Sequence, residues 1–262
     1  MKINTNGVDI NYVIEGDGPW LTMSHSLACD LHMWDEEARR LSQRYRVLRF
    51  DTRGHGASSA PAGAYSLDML ADDLHGVLQA LGVQATHFVG LSLGGMIGQT
   101  YALKYPGTFK SLVLCDTTSR YPEDWMGPWA ERVRTAETLG LEPLVEPTMA
   151  RFFSEAFRNT HPSVVDKTAA TMRATRVLGY LGCCHAISKL NLTSRLKEIR
   201  CPTLIVVGEQ DPATPVTMSE EIHQAMPGSR LAVIPSAAHL ANVEQPDAIN
   251  QLIEDFLNTV DE

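Results

Sequence analysis

Twelve consecutive residues, Thr86-His87-Phe88-Val89-Gly90-Leu91-Ser92-Leu93-Gly94-Gly95-Met96-Ile97, restrict this chain more than any other stretch. They read as a strand, a sharp turn and a helix. Phe88 and Val89 close a short apolar run of strand type, and Met96, Ile97, Tyr101 and Leu103 follow at near-helical spacing. Between them stands Gly90-x-Ser92-x-Gly94, the pattern of a nucleophile elbow. The reason is steric. A serine on so tight a turn is pushed out of the backbone with its hydroxyl exposed, while small flanking residues let strand and helix approach. The helix that follows turns free N–H groups and the positive end of its dipole toward any charge developing beside Ser92.

The rest of the chain supplies a frame for that turn. Val8–Ile14 alternates as an edge strand does, and Trp20–Met23, Tyr45–Phe50, Ser111–Cys115, Pro202–Gly208 and Leu231–Ile234 read as further strands. Helices are expected over Trp34–Leu41, from an N-cap at Ser66 to Gly82, near Glu220–Ala225 and over Pro246–Val260. Short continuous apolar strands alternating with helices indicate an α/β fold, with a mostly parallel central sheet and helices on both faces. Between Ser119 and Ile187 the pattern changes to consecutive helices, with Trp125, Trp129, Phe152, Phe153 and Phe157 on their apolar faces. We expect residues 119–187 to be an inserted helical cap, and 1–118 with 188–262 to form the core. A chain of 262 residues suits one domain with such an insertion.

Charge narrows the partners. The formal net charge is −9 without clusters of Lys or Arg, which argues against nucleic acid or an anionic membrane. An anionic substrate would need local positive charge. The amino terminus shows no signal pattern, and no apolar run approaches membrane length. The five cysteines are odd in number, two are adjacent, and none forms C-x-x-C. They read as reduced thiols in a cytoplasm, with no disulfide frame and no zinc site. No metal or other cofactor is expected.

A serine hydroxyl needs a base to become a nucleophile. In a strand–elbow–helix frame the partners follow in the order Ser, acid, His, each at the end of a strand. Asp211 and His239 satisfy both conditions, after Leu204–Val207 and Leu231–Ile234. His239 is the expected base and Asp211 the group that orients it. Asp116 also follows a strand and is a backup carboxylate, whereas Asp51 and His55 read as structural parts of a loop with two glycines. The oxyanion of acyl transfer requires backbone donors. The N–H of Leu93 and that of Leu27, in the loop after Trp20–Met23, are the candidates. His25 and Ser26 of the same loop are expected beside the substrate, with His25 also bracing the loop.

With these residues identified, the chain resembles the α/β-hydrolase superfamily over nearly its full length. Within it, the chain is most similar to 3-oxoadipate enol-lactonases, which open a lactone ring in bacterial aromatic catabolism. The resemblance is carried by Asp30-Leu31-His32-Met33-Trp34-Asp35, by Tyr45 through Ser58, by His87 through Gly95, and by Ala237 through Glu244. Such lactonases usually carry Asn and Gly where this chain has His25 and Ala28, and often Asn at the position of Asp116. The resemblance implies a serine hydrolase that cleaves an ester or lactone through an acyl-enzyme. A carboxylesterase, a cofactor-free perhydrolase and, behind them, a C–C bond hydrolase are the alternatives, and a homo-oligomer is left open. The enol-lactone carries a carboxylate, for which Trp129 and Arg132, three apart on one helix face, are the expected partners.

Overall fold

The apolar runs become strands. In the computed structural model, which describes residues 1–261, the chain begins with β1 (Lys2–Thr5), β2 (Val8–Glu15) and β3 (Trp20–Ser24). Next come α1 (Asp35–Leu41), β4 (Arg46–Phe50), α2 (Leu67–Ala80), β5 (Thr86–Leu91), α3 (Leu93–Lys104) and β6 (Phe109–Cys115). Five helices follow: α4 (Met126–Leu139), α5 (Glu142–Phe152), α6 (Glu155–Thr160), α7 (Pro162–Ala174) and α8 (Val177–Ile187). The chain then returns to β7 (Thr203–Gly208), α9 (Val216–Ala225), β8 (Arg230–Ile234), α10 (Ala241–Glu244) and α11 (Pro246–Asp261).

The eight strands form one sheet in the order β1-β2-β4-β3-β5-β6-β7-β8. From β4 to β8 all pairs are parallel, and only β1–β2 and β2–β4 are antiparallel. β5 and β7 are buried at every residue, which is why they read as unbroken apolar runs. Helix α2 starts where expected, with the Ser66 side chain accepting from the Met69 N–H, and Gly82 lies just past its end at φ 68°. Among the described residues no helix is long and apolar enough to cross a membrane.

Two strands differ from the expectation. β2 is not at an edge, because β1 pairs along its outer side. β1 is polar apart from Ile3, so periodicity missed it, but Asn6 (φ 49°) and Gly7 (φ 74°) make the two-residue turn that Asn-Gly favours. The other edge is β8, which is only partly buried, with Val233 42% exposed.

The helices α4–α8 leave the sheet after β6 and rejoin it before β7. Their base is closed where the Leu192 N–H donates to the Ser119 carbonyl at 2.8 Å and Arg120 bridges to Asn191. α4 packs against α5 and α8, and α5 against α7. Gly179 on α8 meets Gly54 so closely that a Cβ on Gly54 would stand 2.5 Å from the Gly179 Cα. That contact sets α8 directly on the Asp51–Ser58 loop.

Candidate active site

Ser92 joins β5 to α3 with φ 55° and ψ −114°, a backbone that surroundings must impose on an L-residue. Here they do. Its N–H donates to the Cys115 carbonyl at 2.9 Å, and its carbonyl accepts from Thr117 Oγ1 at 2.7 Å. A Cβ on Gly90 would lie 2.4 Å from the Gly94 carbonyl oxygen, and one on Gly94 would lie 2.1 Å from that of Ser24. The glycines of the motif are therefore set by close approach of strand, turn and helix.

Asp211 follows β7 and His239 follows β8. His239 Nδ1 and Asp211 Oδ2 are 2.8 Å apart. Asp211 Oδ2 also accepts from Thr214 Oγ1 at 2.6 Å, and Oδ1 from the N–H groups of Ala213 and Thr214 at 2.7 and 3.1 Å. Burial alone would raise the Asp211 carboxyl. The charge of His239 and the hydrogen bonds outweigh it and hold the group below the usual carboxylate range. A carboxylate facing Nδ1 keeps the proton on that nitrogen and leaves Nε2 as an acceptor. The Phe152 ring stacks on the imidazole, with centroids 5.5 Å apart.

Ser92 and His239 both line a cavity of about 110 Å³. Leu27 and Ser26, from the loop after β3, line it too, and the Ser26 hydroxyl is buried without a partner. Leu93 is the first residue of α3, so its N–H belongs to the unbonded first turn. The loop is held from behind by two histidines. His25 Nε2 accepts from the Thr52 N–H at 2.9 Å, while its Nδ1 donates to the Ser26 carbonyl at 2.7 Å. His55 Nε2 accepts from the Ala28 N–H at 3.0 Å, where Ala28 holds φ 63°. Burial, and then the neighbouring His25, lower the pKa of His55 to about 3. His25 is thus absent from the cavity lining. Both its nitrogens serve the loop, and it is fully buried away from the cavity.

Asp116 has a different use from the one its strand-end position suggested. Its Oδ1 accepts from the Gly208 N–H at 2.8 Å and its own N–H donates to the Val206 carbonyl at 2.8 Å, joining the ends of β6 and β7. It is wholly buried, and burial together with the nearby Asp211 charge drives its carboxyl far above the usual range. Asp51 is structural as well: it accepts from the N–H groups of Leu31 and Ala57 and from Asn11 Nδ2, each at 2.8 Å.

Trp129 and Arg132 line the cavity from α4, with the guanidinium 5.2 Å from the Trp129 ring centroid. Glu131 pairs with Arg134, which leaves Arg132 facing the cavity. Sequence reasoning missed four further residues. Thr214 could have been suspected from the short Asp-Pro-Ala-Thr turn, in which the side chain of a turn-forming Asp binds its own backbone two residues on. Tyr180, Arg151 and Phe152 carried no comparable signal, since helix packing alone brings them to the cavity.

The sequence profile of the α/β hydrolase fold matches residues 19–246. The chain belongs to this family. A curated relative, 3-oxoadipate enol-lactonase 2 of Acinetobacter baylyi, is 33% identical over 254 residues, covering 96% of this chain and 94% of the relative. The enol-lactonase crystal structure from Burkholderia xenovorans LB400 superposes with a TM-score of 0.95 at 32% identity, over 98% of this chain and all of that one. A thermophilic esterase from Thermogutta terrifontis, solved with malate bound, gives 0.93 at 28% identity, over 99% and 98% of the two chains. With these relatives, this α/β hydrolase is an enzyme of the ester- and lactone-hydrolysing kind.

Proposed function

We propose that this hydrolase opens a lactone bearing a carboxylate, with 3-oxoadipate enol-lactone as the leading candidate, through an acyl-enzyme on Ser92. The observation that carries this reading is one cavity lined by Ser92, His239 and the guanidinium of Arg132. His239 Nε2 takes the Ser92 proton as Oγ attacks the ring carbonyl, and the N–H groups of Leu27 and Leu93 receive the oxyanion. Collapse breaks the ring C–O bond, and His239 returns its proton to the departing oxygen. That oxygen stays tethered within the acyl group. His239 then draws a proton from water, which attacks the acyl-enzyme; the bond from the acyl carbon to Ser92 Oγ breaks, Oγ takes that proton back from His239, and the product leaves with a new carboxylate. Asp211 keeps the imidazole in the tautomer this needs and stabilises its charged form.

Residues 119–187 act in this reading as a cap over Ser92, supported by Trp129, Arg132, Phe152 and Tyr180 all reaching the cavity. Closing it would exclude water and strengthen the charge–charge contact with Arg132. The malate bound in the Thermogutta esterase, itself a dicarboxylate, is in keeping with an anionic ligand. The five free cysteines suit a reducing compartment, where we place the enzyme. A carboxylesterase acting on neutral esters is the second reading, on the likeness to that same esterase.

One panel separates them: 3-oxoadipate enol-lactone, neutral lactones, aryl esters, and peroxide with acetate. Ser92→Ala should lower kcat on every substrate by on the order of 10⁶. Arg132→Ala should lower kcat/KM for the anionic lactone by roughly tenfold to a hundredfold and leave a neutral aryl ester nearly unchanged. Equal losses on both would make Arg132 structural. Faster turnover of aryl esters than of any lactone would favour the esterase.

A further inference from the structure

The reading above uses one cation, and the cavity has two. Arg151 lines it together with Arg132, and no Asp or Glu among the described residues does. The two arrive on different helices. Arg132 projects from α4 beside Trp129, and its charge bears on the hydroxyls of Tyr121 and Tyr180. Arg151 stands in the last turn of α5, next to the Phe152 that stacks on His239. Its one side-chain hydrogen bond within the described residues is a long one, from Nη2 to Thr148 Oγ1 at 3.4 Å. The nearby carboxylates are engaged elsewhere, Glu131 with Arg134 and Glu142 with Arg173. Tyr180 adds a fully buried hydroxyl that lines the same space.

We propose that Arg151 forms a second anion subsite, so that the preferred substrate is a lactone or ester carrying two carboxylates besides the scissile carbonyl. This rests on Arg132 holding the first carboxylate and moves the preferred substrate beyond 3-oxoadipate enol-lactone, which carries only one. A guanidinium presents a rigid fork of donors matched to a carboxylate, and its affinity grows where aromatic walls displace water. Two such forks on one aromatic-walled space repel each other until anions arrive. The chain as a whole carries −9, so its long-range field repels a polyanion and any preference for one must come from local contacts. With Ser92 at the scissile carbonyl, a substrate with a carboxylate toward α4 and another toward α5 satisfies both cations.

Calorimetric titration of the intact protein with glutarate and tricarballylate tests this without relying on turnover. The second acid is the first with one added carboxylate on its middle carbon. In the wild type one carboxylate of each stands in for the newly cleaved acid beside Ser92. Tricarballylate should bind about tenfold to a hundredfold more tightly than glutarate. Arg151→Gln should abolish that advantage and leave glutarate within about twofold of wild type, whereas Arg132→Gln should weaken both acids. Circular dichroism on both variants controls for folding. Equal affinities of the wild type for the two acids, binding of neither, or an Arg151→Gln variant that keeps the advantage or weakens both acids alike, overturns the proposal. If Arg132→Gln leaves glutarate untouched while Arg151→Gln still removes the advantage, the Arg132 reading falls and Arg151 stands as an anion site.

Discussion

Thr214 and His239 donate to the same oxygen of Asp211, at 2.6 and 2.8 Å. The hydroxyl therefore competes with the imidazole for one acceptor and fixes that oxygen in the plane where His239 meets it. Asp211 lacks a second freedom too, because backbone N–H groups hold its other oxygen. Thr214→Val keeps the shape and the backbone bond and removes one donor to a charged acceptor. We expect it to lower kcat by roughly tenfold, in line with about 1.5 kcal/mol for such a bond. Asp211→Asn should cost far more, on the order of 10⁴, because an amide favours the wrong tautomer of His239. Steady-state kinetics of both variants decide it, and equal effects of the two would make Thr214 something other than a support for Asp211.

Asp116 offers the contrasting carboxyl. It sits at the end of the neighbouring strand, where it accepts from the Gly208 N–H, and burial with the charge of Asp211 raises its carboxyl well above the usual range. An asparagine oxygen can accept the same hydrogen bond. Asp116→Asn should leave kcat within about twofold of wild type, since the hydrogen bond from Gly208 is kept. A crippled Asp116→Asn beside a near-silent Asp211→Asn would exchange their roles.

How much of this was legible beforehand follows from what sets each feature. The elbow is written locally: Gly90, Ser92 and Gly94 are required by clashes within a few residues of one another, so the sequence pattern carries the geometry. Asp211 and His239 follow from chain order and strand ends, which survive in an apolar pattern. β1 escaped because it has a single apolar residue and owes its place to a tight Asn-Gly turn. His25 is expected beside the substrate because its loop is expected there. Its orientation depends on the Thr52 N–H, on a strand-end loop far along the chain, and no spacing encodes that. Arg151 and Tyr180 reach the cavity through packing of α5 and α8, where the helical period tells which face is apolar but not what it faces.

Glu37 on α1 gives a pH signature to stability. It is 1% exposed, Oε1 has no partner among the described residues, and Asn242 Nδ2 lies 3.5 Å from Oε2. Burial pushes its pKa up to about 8. The folded protein then keeps a proton that the unfolded chain releases above about pH 4.3, so stability from this group is full below that pH and declines as pH rises toward 8. The decline is at most about 1.4 kcal/mol per pH unit in that window. Glu37→Gln keeps the shape and cannot ionise. Its Tm should exceed that of wild type by more at pH 8 than at pH 5. A difference that stayed constant, or grew toward acid, would show that Glu37 is already ionised when folded.

Glu244 makes the last prediction, because one buried carboxylate ties the His239 loop to the helical segment. Its Oε1 accepts from the N–H groups of Ala238 and Ser154 at 2.8 and 3.1 Å, and its Oε2 from Ser154 Oγ at 2.6 Å. Ala238 precedes His239, and Ser154 caps α6 by accepting from the Phe157 N–H. The Leu240 N–H adds a bond to the Phe152 carbonyl at 2.9 Å, so residues 238–240 and 152–154 are fastened together on both sides of the imidazole. A glutamine can keep its oxygen on the two N–H groups and donate its amide to the serine hydroxyl, which accepts as readily as it donates. Glu244→Gln should therefore approach wild type in both Tm and kcat. Glu244→Ala leaves two buried N–H donors without partners, at about 1–3 kcal/mol each, and frees the His239 loop to shift. It should lower stability by a few kcal/mol and lower kcat more than it raises KM, because the proposed base is displaced while the proposed anion contacts stay in place. Denaturant unfolding alongside initial-rate kinetics on the three proteins tests this. If the alanine variant loses stability with kcat unchanged, Glu244 holds the fold without positioning His239. If the glutamine variant fails as badly as the alanine one, the negative charge matters and the hydrogen-bond account is wrong.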